Sequence, residues 1–371
     1  MAKRKPKLLQ FAENLSGGVL TYLISLSERL KPSYDLAIAY SADQDSPGNL
    51  TSLFPDGIPL YPIETFEGEG NFLKESKARA QLRDVVLREK PDLIHMHGYK
   101  AGKIGRKALD GMGIPLFYTP HGYLYLSDTH NVLTRSLYRT NEAAAARTNC
   151  MTIACSKGEF AETLGLTQNA VFVNNGIDLE RLDSILSGFT PAPHSFTVFT
   201  SGRINKQKNP ELFNEIAQVM NDVKFVWIGD GSYRQKLTAP NIEVTGWMSR
   251  EDSIRRAAES DVFLLTSLWE GLPISLLEAM YMKKLCIVND VVGSRDVITN
   301  GENGYLVNNA ASFVNAIHHA RMEEAMEICR NAHEDIRAHY SIDAMTEEYD
   351  RIYQQALKEA AEQEQLQAAD L

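Results

Sequence analysis

Asp261-Val-Phe-Leu-Leu-Thr266 runs directly into Ser267-Leu-Trp-Glu270-Gly271-Leu272-Pro273-Ile274-Ser275-Leu276-Leu277-Glu278-Ala279-Met280. The first six residues have the continuous apolar character of a buried strand. A short turn holding Glu270 and Gly271 follows, and a helix pattern opens near Pro273. Proline is tolerated in a first helical turn, where its missing N–H would have no partner anyway. Strand, tight turn and helix N-terminus together make an anion site, because unpaired N–H groups and the helix dipole converge there. Two carboxylates with seven residues between them bracket it.

Were the whole stretch helical, the rise from Glu270 to Glu278 would be about 12 Å. Carboxylate pairs that hydrolyse glycosides stand roughly 5–9.5 Å apart. The two glutamates therefore suit an extended ligand, one carboxylate at each of two sets of hydroxyls with phosphates between. An equally open reading makes both of them first-turn residues that complement a helix dipole.

Glu-x7-Glu inside Trp-Glu-Gly-Leu-Pro-Ile-Ser-Leu-Leu-Glu-Ala-Met resembles the signature of retaining glycosyltransferases of the GT-B fold, family 4 (glycosyl transferases group 1). The resemblance implies an α/β chain of two Rossmann-like doubly wound domains facing across a cleft. Residues 1–186, with a returning C-terminal helix at about 343–360, would form the acceptor domain, and 195–342 the nucleotide-sugar donor domain.

The 371 residues are enough for two or three domains. The net charge of −10 is unevenly shared: residues 1–185 hold 21 Lys+Arg against 21 Asp+Glu, and 186–371 hold 17 against 27. Two bodies with different surfaces follow. The neutral half gathers Lys74, Lys77, Arg79, Arg83, Arg88 and Lys90 on one helix pattern and Lys100, Lys103, Arg106 and Lys107 on the next. Such bases suit anionic lipid or an anionic acceptor, although each helix also reads as a solvated face. Acidity and the lack of an aromatic-basic ribbon argue against nucleic acid. Cys150, Cys155, Cys286 and Cys329 lack metal-ligand spacing and read as buried thiols of a reducing cytoplasm. The apolar stretch after the basic start is too short for a signal-peptide core, and no run approaches a membrane span.

A first strand at 7–12 is followed by Glu13-Asn14-Leu15-Ser16-Gly17-Gly18-Val19 and a helix pattern through residue 30. Gly17 and Gly18 allow backbone N–H groups close to a phosphate; a plain turn is as good a reading. In family 4 this loop touches the donor diphosphate and the acceptor side. Strand patterns recur at 34–40, 92–96, 116–119, 151–154 and 170–173, with helical patterns between several, which implies a parallel sheet. His95 and His97 read as strand residues on alternate faces rather than metal ligands. His121 ends a strand in Thr119-Pro-His-Gly122, resembling the family's Thr-x-His-Gly, whose histidine contacts donor sugar and nearby phosphate. Asn175 is read as structural, and 187–194 as a linker.

A second sheet is expected from 196–201, 223–228, 242–245, 262–265 and 285–289. Arg203 and Lys208 follow its first strand, where a fork and a point charge can clamp a diphosphate; Lys206 competes with Lys208 for that assignment. Trp247 and Met248 match a segment that stacks near the nucleotide base in relatives, though a tryptophan there equally serves a core. The last helix carries apolar spacing at Ile342, Met345, Tyr349, Ile352 and Tyr353, and beyond Glu359 the composition reads as a frayed end.

The resemblance implies transfer of a sugar from a nucleoside diphosphate sugar, with UDP expected, to an acceptor hydroxyl with retention. Glu270, His121, Arg203 and Lys208 would be catalytic. Gly17, Gly18, Trp247, Met248, Gly271, Leu272, Pro273, Ile274, Leu277 and Glu278 would join Arg203 and Lys208 in holding the donor, Glu278 at the ribose. No metal or cofactor is expected, since Arg203, Lys208 and the N–H groups after Glu270 can take a metal's place at the departing diphosphate. A glycan or polyprenyl-diphosphate-linked acceptor, a bacterial surface-polysaccharide or glycolipid pathway and peripheral contact at the inner face of the cell membrane complete the expectation. A GT-B epimerase and a non-catalytic sugar-nucleotide or glycan-binding protein are the alternatives.

Overall fold

The computed structural model describes residues 4–13, 15–41, 48–64, 72–127, 129–191, 194–320, 322 and 324–369; Asn14 of the glycine loop lies outside them. The chain divides into two compact units, Met1–Tyr125 with Val132–Asn174 and Asp343–Leu371, and Leu126–Asn131 with Asn175–Ile342.

The first unit holds β1 (Lys7–Ala12), β2 (Asp35–Ser41), β3 (Leu60–Ile63), β4 (Leu93–His97), β5 (Leu116–Thr119), β6 (Cys150–Ala154) and β7 (Ala170–Phe172), in the order β3-β2-β1-β4-β5-β6-β7. All pairings are parallel. Parallel strands covered on both faces need apolar runs rather than alternation, and β1 and β4 are buried almost throughout. Strand order reverses between them. Their ends are level, with Ala12 opposite His97.

The last helix, Ile342–Ala369, belongs to this unit from Asp343 onward. It buries Met345, Tyr349, Ile352 and Tyr353, and Tyr34 donates its hydroxyl to Asp350 Oδ1 at 2.6 Å. The helix continues through Ala369 instead of fraying after Glu359. Alanine, glutamate and glutamine are strong helix formers, and Gln355 with Glu359 and Lys358 with Glu362 pair one turn apart.

The second unit holds β8 (Thr197–Ser201), β9 (Lys224–Ile228), β10 (Ile242–Val244), β11 (Val262–Leu265), β12 (Leu285–Asn289) and β13 (Tyr305–Val307), all parallel, in the order β10-β9-β8-β11-β12-β13. This is the Rossmann strand order, with its reversal between β8 and β11. Phe213 meets Phe225 and Trp227 edge-on in its core. Residues 175–186 belong here: Asn175 Nδ2 donates to the Leu272 carbonyl at 2.8 Å, and Tyr281 donates to Asp183 at 2.8 Å.

Sequence reading missed β3 and β13. Both are sheet edges, and β3 is Leu-Tyr-Pro-Ile with Pro62 inside it. Proline is confined to edges because it cannot donate to a ladder. The basic helices also change. Arg106 is not a solvated charge: on helix Tyr99–Leu109 it shares the sheet-facing side with Gly102 and Leu109. Its Nη2 donates to Glu142 at 2.6 Å, and the guanidinium lies 4.1 Å from the Tyr118 ring centre. Lys103 pairs with Glu75 at 2.6 Å. Three of the four cysteines are buried thiols, and Cys329 is half-buried.

Candidate active site

In the second unit the loops leaving β8 and β11 are stitched together. Thr266 Oγ1 donates to the Lys208 carbonyl at 2.7 Å, Gln207 Nε2 to the Trp269 carbonyl at 2.9 Å, and Leu268 N to the Gln207 carbonyl at 2.8 Å. Asn209, left-handed at φ 50, caps the helix Pro210–Val219. These contacts aim Lys208 inward, where Nζ donates to Glu270 Oε1 at 2.6 Å; the side chains are 16% and 8% exposed. Arg203 follows Gly202 and is half-buried, while Lys206 is exposed and reaches the Thr129 carbonyl at 3.3 Å. Of the two competing lysines, Lys208 is the one at Glu270.

Two glycines are required here by close approach. A Cβ on Gly229, at φ 138, would overlap the Gly202 carbonyl, and one on Gly293, at φ 86, would overlap the Gly271 carbonyl.

The helix after the turn spans Ile274–Tyr281, with Pro273 as N-cap and no acid in its first turn. The first-turn reading of both glutamates is therefore wrong: Glu270 lies in the preceding loop and Glu278 is the fifth helical residue. Glu270 through Ile274 are all buried, as is Leu277. Glu278 Oε1 is ion-paired with Arg250 Nη2. Burial works against the Arg250 charge, but the pull of Glu278 and their hydrogen bond more than offset it, so the guanidinium is held above its ordinary value. Sequence reading missed Arg250. It opens the helix Arg250–Ala258, capped by Ser249, and no motif in the sequence points to it. Just before it, Trp247 is 57% and Met248 38% exposed, which removes the core reading of that tryptophan.

In the first unit, Gly17 and Gly18 are exposed at the start of the helix Gly17–Leu30, beyond β1, and a Cβ on either would meet nothing within 4 Å. His97 and His121 stand beyond or at the ends of the neighbouring strands. His121 has φ 56, uncommon for a non-glycine residue. The turn is pinned by Glu159, which accepts from Gly122 N at 2.6 Å and Cys155 N at 2.7 Å. His121 Nε2 is 3.0 Å from His97 Nδ1, and His97 Nε2 is 2.6 Å from Gln10 Oε1. His95 contacts Tyr353 OH through Nδ1 at 2.6 Å and Thr119 Oγ1 through Nε2 at 2.9 Å. His95 and His97 do not lie on alternate faces. Strand side chains repeat every two residues, and their rings are 4.1 Å apart. Burial holds all three imidazoles below their ordinary value, His121 at about 4, and repulsion from neighbouring imidazoles adds to the effect at His95 and His97.

These geometries meet matching comparisons. A model described as "Glycosyltransferase Family 4" matches residues 16–181, and one described as "Glycosyl transferases group 1" matches 195–321. An Escherichia coli UDP-Gal:alpha-D-GlcNAc-diphosphoundecaprenol alpha-1,3-galactosyltransferase is 29% identical, over 76% of this chain and 81% of its own. Among solved structures, sucrose-phosphate synthase from Thermosynechococcus elongatus superposes with a TM-score of 0.77 at 16% identity, covering 94% of this chain and 98% of that one. Anabaena HepE, in complex with UDP and glucose, gives 0.74 at 19% identity, covering 94% and 99%. Two Rossmann-ordered sheets, a last helix returned to the first of them, and family matches along both place this chain among the GT-B glycosyltransferases of family 4.

Proposed function

We propose that the chain moves a sugar from a UDP-sugar to a hydroxyl of a glycan carried on polyprenyl diphosphate, with retention at the anomeric carbon, in bacterial surface-polysaccharide or glycolipid synthesis. The observation that carries this reading is the buried Lys208–Glu270 pair beyond β8 and β11, at the reversal where open α/β sheets bind ligands. The Escherichia coli relative supplies the donor and acceptor classes, and UDP-galactose is the first donor to test.

In this reading the bond from the anomeric carbon to the diphosphate breaks while the acceptor oxygen adds on the same face. The acceptor proton passes to the leaving phosphate oxygen, and the products are glycoside and UDP. Charge grows on the diphosphate as that bond opens. Arg203, the Lys208 ammonium and the N–H groups after Glu270 oppose it from fixed positions, which avoids reorganisation at the moment of reaction. No metal is assigned a part. Glu270 orients the sugar hydroxyls and His121 contacts the sugar. Glu278, steadied by Arg250, takes the ribose, and Trp247 and Met248 offer a surface to the base. Gly17 and Gly18 present backbone N–H groups to donor phosphate and acceptor.

The lipid carrier implies work at a membrane surface. No described helix is long and apolar enough to cross one. The helix Val132–Ala145 instead exposes Val132, Leu133 and Leu137 at 79%, 82% and 59%, with Arg139 exposed among them. We assign peripheral contact at the inner face of the membrane to this helix rather than to the paired bases of the helices before it. Flotation with anionic vesicles should fall when Val132, Leu133 and Leu137 become serine.

The decisive experiment is a thermal-shift screen with UDP-, GDP- and ADP-sugars, followed by transfer to a GlcNAc-diphospholipid. A ligand of the folded form raises Tm with affinity and concentration. Stabilisation by UDP-galactose and acceptor-dependent release of UDP are expected. Sugar conversion without acceptor would mean an epimerase, binding without turnover a binding protein, and no nucleotide response would end the donor-site reading.

A further inference from the structure

Gln10, His97 and His121 of the first unit form an ordered chain whose direction can be worked out. Gln10 Oε1 only accepts, so His97 must carry its proton on Nε2, 2.6 Å away. Neutral His97 then has a bare lone pair on Nδ1. The atom facing that lone pair, at 3.0 Å, is His121 Nε2, which must be the donor. A neutral imidazole has one N–H, so His121 Nδ1 is left as an acceptor. The orientation of the Gln10 amide, with Oε1 toward His97, fixes everything downstream. Gln10 is 1% and His97 0% exposed, so water does not compete for these bonds.

We propose that Gln10 and His97 are positioning residues that hold His121 in its Nε2–H tautomer, so that His121 meets its ligand through the Nδ1 lone pair and takes a hydroxyl group rather than a phosphate oxygen. The inference rests on the proposed function only for the identity of the ligand, a sugar hydroxyl; the tautomer is a property of the protein alone. It revises the expectation that this histidine contacts both sugar and phosphate. A neutral acceptor nitrogen has nothing to donate to a phosphate, and burial opposes making it cationic.

Two-bond 1H–15N spectra of the ring nitrogens in the full-length, 15N-labelled protein at pH 7 test this directly. The His121 pattern should show a protonated Nε2 and a bare Nδ1 before any ligand is added. UDP-galactose should then perturb Nδ1, and UDP alone should leave it in place. In Gln10→Leu the His121 pattern should become a mixture of tautomers, and kcat for transfer should fall about five- to tenfold, the worth of one hydrogen bond, with UDP affinity unchanged. A wild-type His121 protonated on Nδ1 overturns the proposal, as does a Gln10→Leu protein that keeps a pure Nε2–H pattern. If the variant fails to fold, the wild-type spectrum still decides. Failure of every UDP-sugar to bind would strike the proposed function and leave the tautomer standing.

Discussion

The two units solve the same positional problem with opposite chemistry. Each gathers polar residues at the place where its sheet order reverses, on β1, β4 and β5 in the first unit and beyond β8 and β11 in the second. In the first unit they are neutral and form two hydrogen-bonded strings, Gln10–His97–His121 and Tyr353–His95–Thr119. In the second they are charged and paired, Lys208 with Glu270 and Arg250 with Glu278. A neutral chain transmits direction, since each donor forces the next group to accept. A pair of charges transmits strength, since burial amplifies Coulombic attraction. In the proposed function, hydroxyl recognition would use the first property and diphosphate recognition the second.

The largest effect should come from splitting the buried pair. Lys208→Ala or Glu270→Ala leaves a charge without its partner, at a cost of about 3–5 kcal/mol of stability. Denaturant unfolding should show this. The double variant Lys208→Met/Glu270→Leu should recover most of that stability and none of the activity. For Lys208→Ala, loss of one fixed charge at the leaving group predicts a fall in kcat of about 10²–10³. A single variant as stable as the wild type would mean that the pair is not desolvated.

The neutral chain should instead break with acid. Its histidines have folded values below the unfolded value of about 6.5, with His121 at about 4. Folding therefore favours their neutral forms. This contribution is present above about pH 6.5 and is lost as pH falls toward 4, at up to about 1.4 kcal/mol per pH unit for each histidine. Hydrogen exchange at pH 5 against pH 7 should show β1, β4 and β5 losing protection before β8 and β11. Equal loss in both sheets would remove the distinction drawn between the units.

How much of this was legible in the sequence follows the same division. The runs at 116–119, 262–265 and 285–289 are strands with the expected limits, because strands covered on both faces leave an unbroken apolar signal. The missed strands β3 and β13 carry less of it, three or four residues at a sheet edge with a proline in one, whereas the edge strands β7 and β10 were legible. The neighbourhood of Glu270 could be found from one short stretch. The partners of the histidines could not: Gln10, Thr119 and Tyr353 are far from His97 in sequence, and only strand register and the returning helix bring them together. Arg250 and Arg106 show the corresponding limit for charges. A base on a helix pattern reads as solvated until its phase against the sheet is known, and Arg106 is buried.

The second charged pair offers a smaller test. Arg250 is 31% exposed, so Arg250→Ala should cost less stability than Lys208→Ala. Its effect should fall on the nucleotide, because Glu278 loses the group that orients it. About a tenfold weaker UDP affinity by calorimetry is expected, with kcat little changed at saturation. Arg250→Lys should restore it only in part, since an ammonium cannot reproduce the planar fork. Unchanged UDP affinity in Arg250→Ala would detach Glu278 from the ribose.

Trp247 gives the smallest effect on the fold and the cleanest on the ligand. Its side chain is 57% exposed, so little packing is lost in Trp247→Ala, and stability should stay within about 0.5 kcal/mol of wild type. If the indole stacks on the uracil ring, the same change should weaken UDP binding by about 1–3 kcal/mol, the usual worth of a base on an aromatic face. Trp247→Phe should keep most of that. The sugar-dependent part of the affinity, measured as UDP-galactose against UDP, should not move, because the proposed function gives Trp247 no part in holding the sugar. A loss shared equally by base and sugar would instead make Trp247 a support for the loop that carries Arg250.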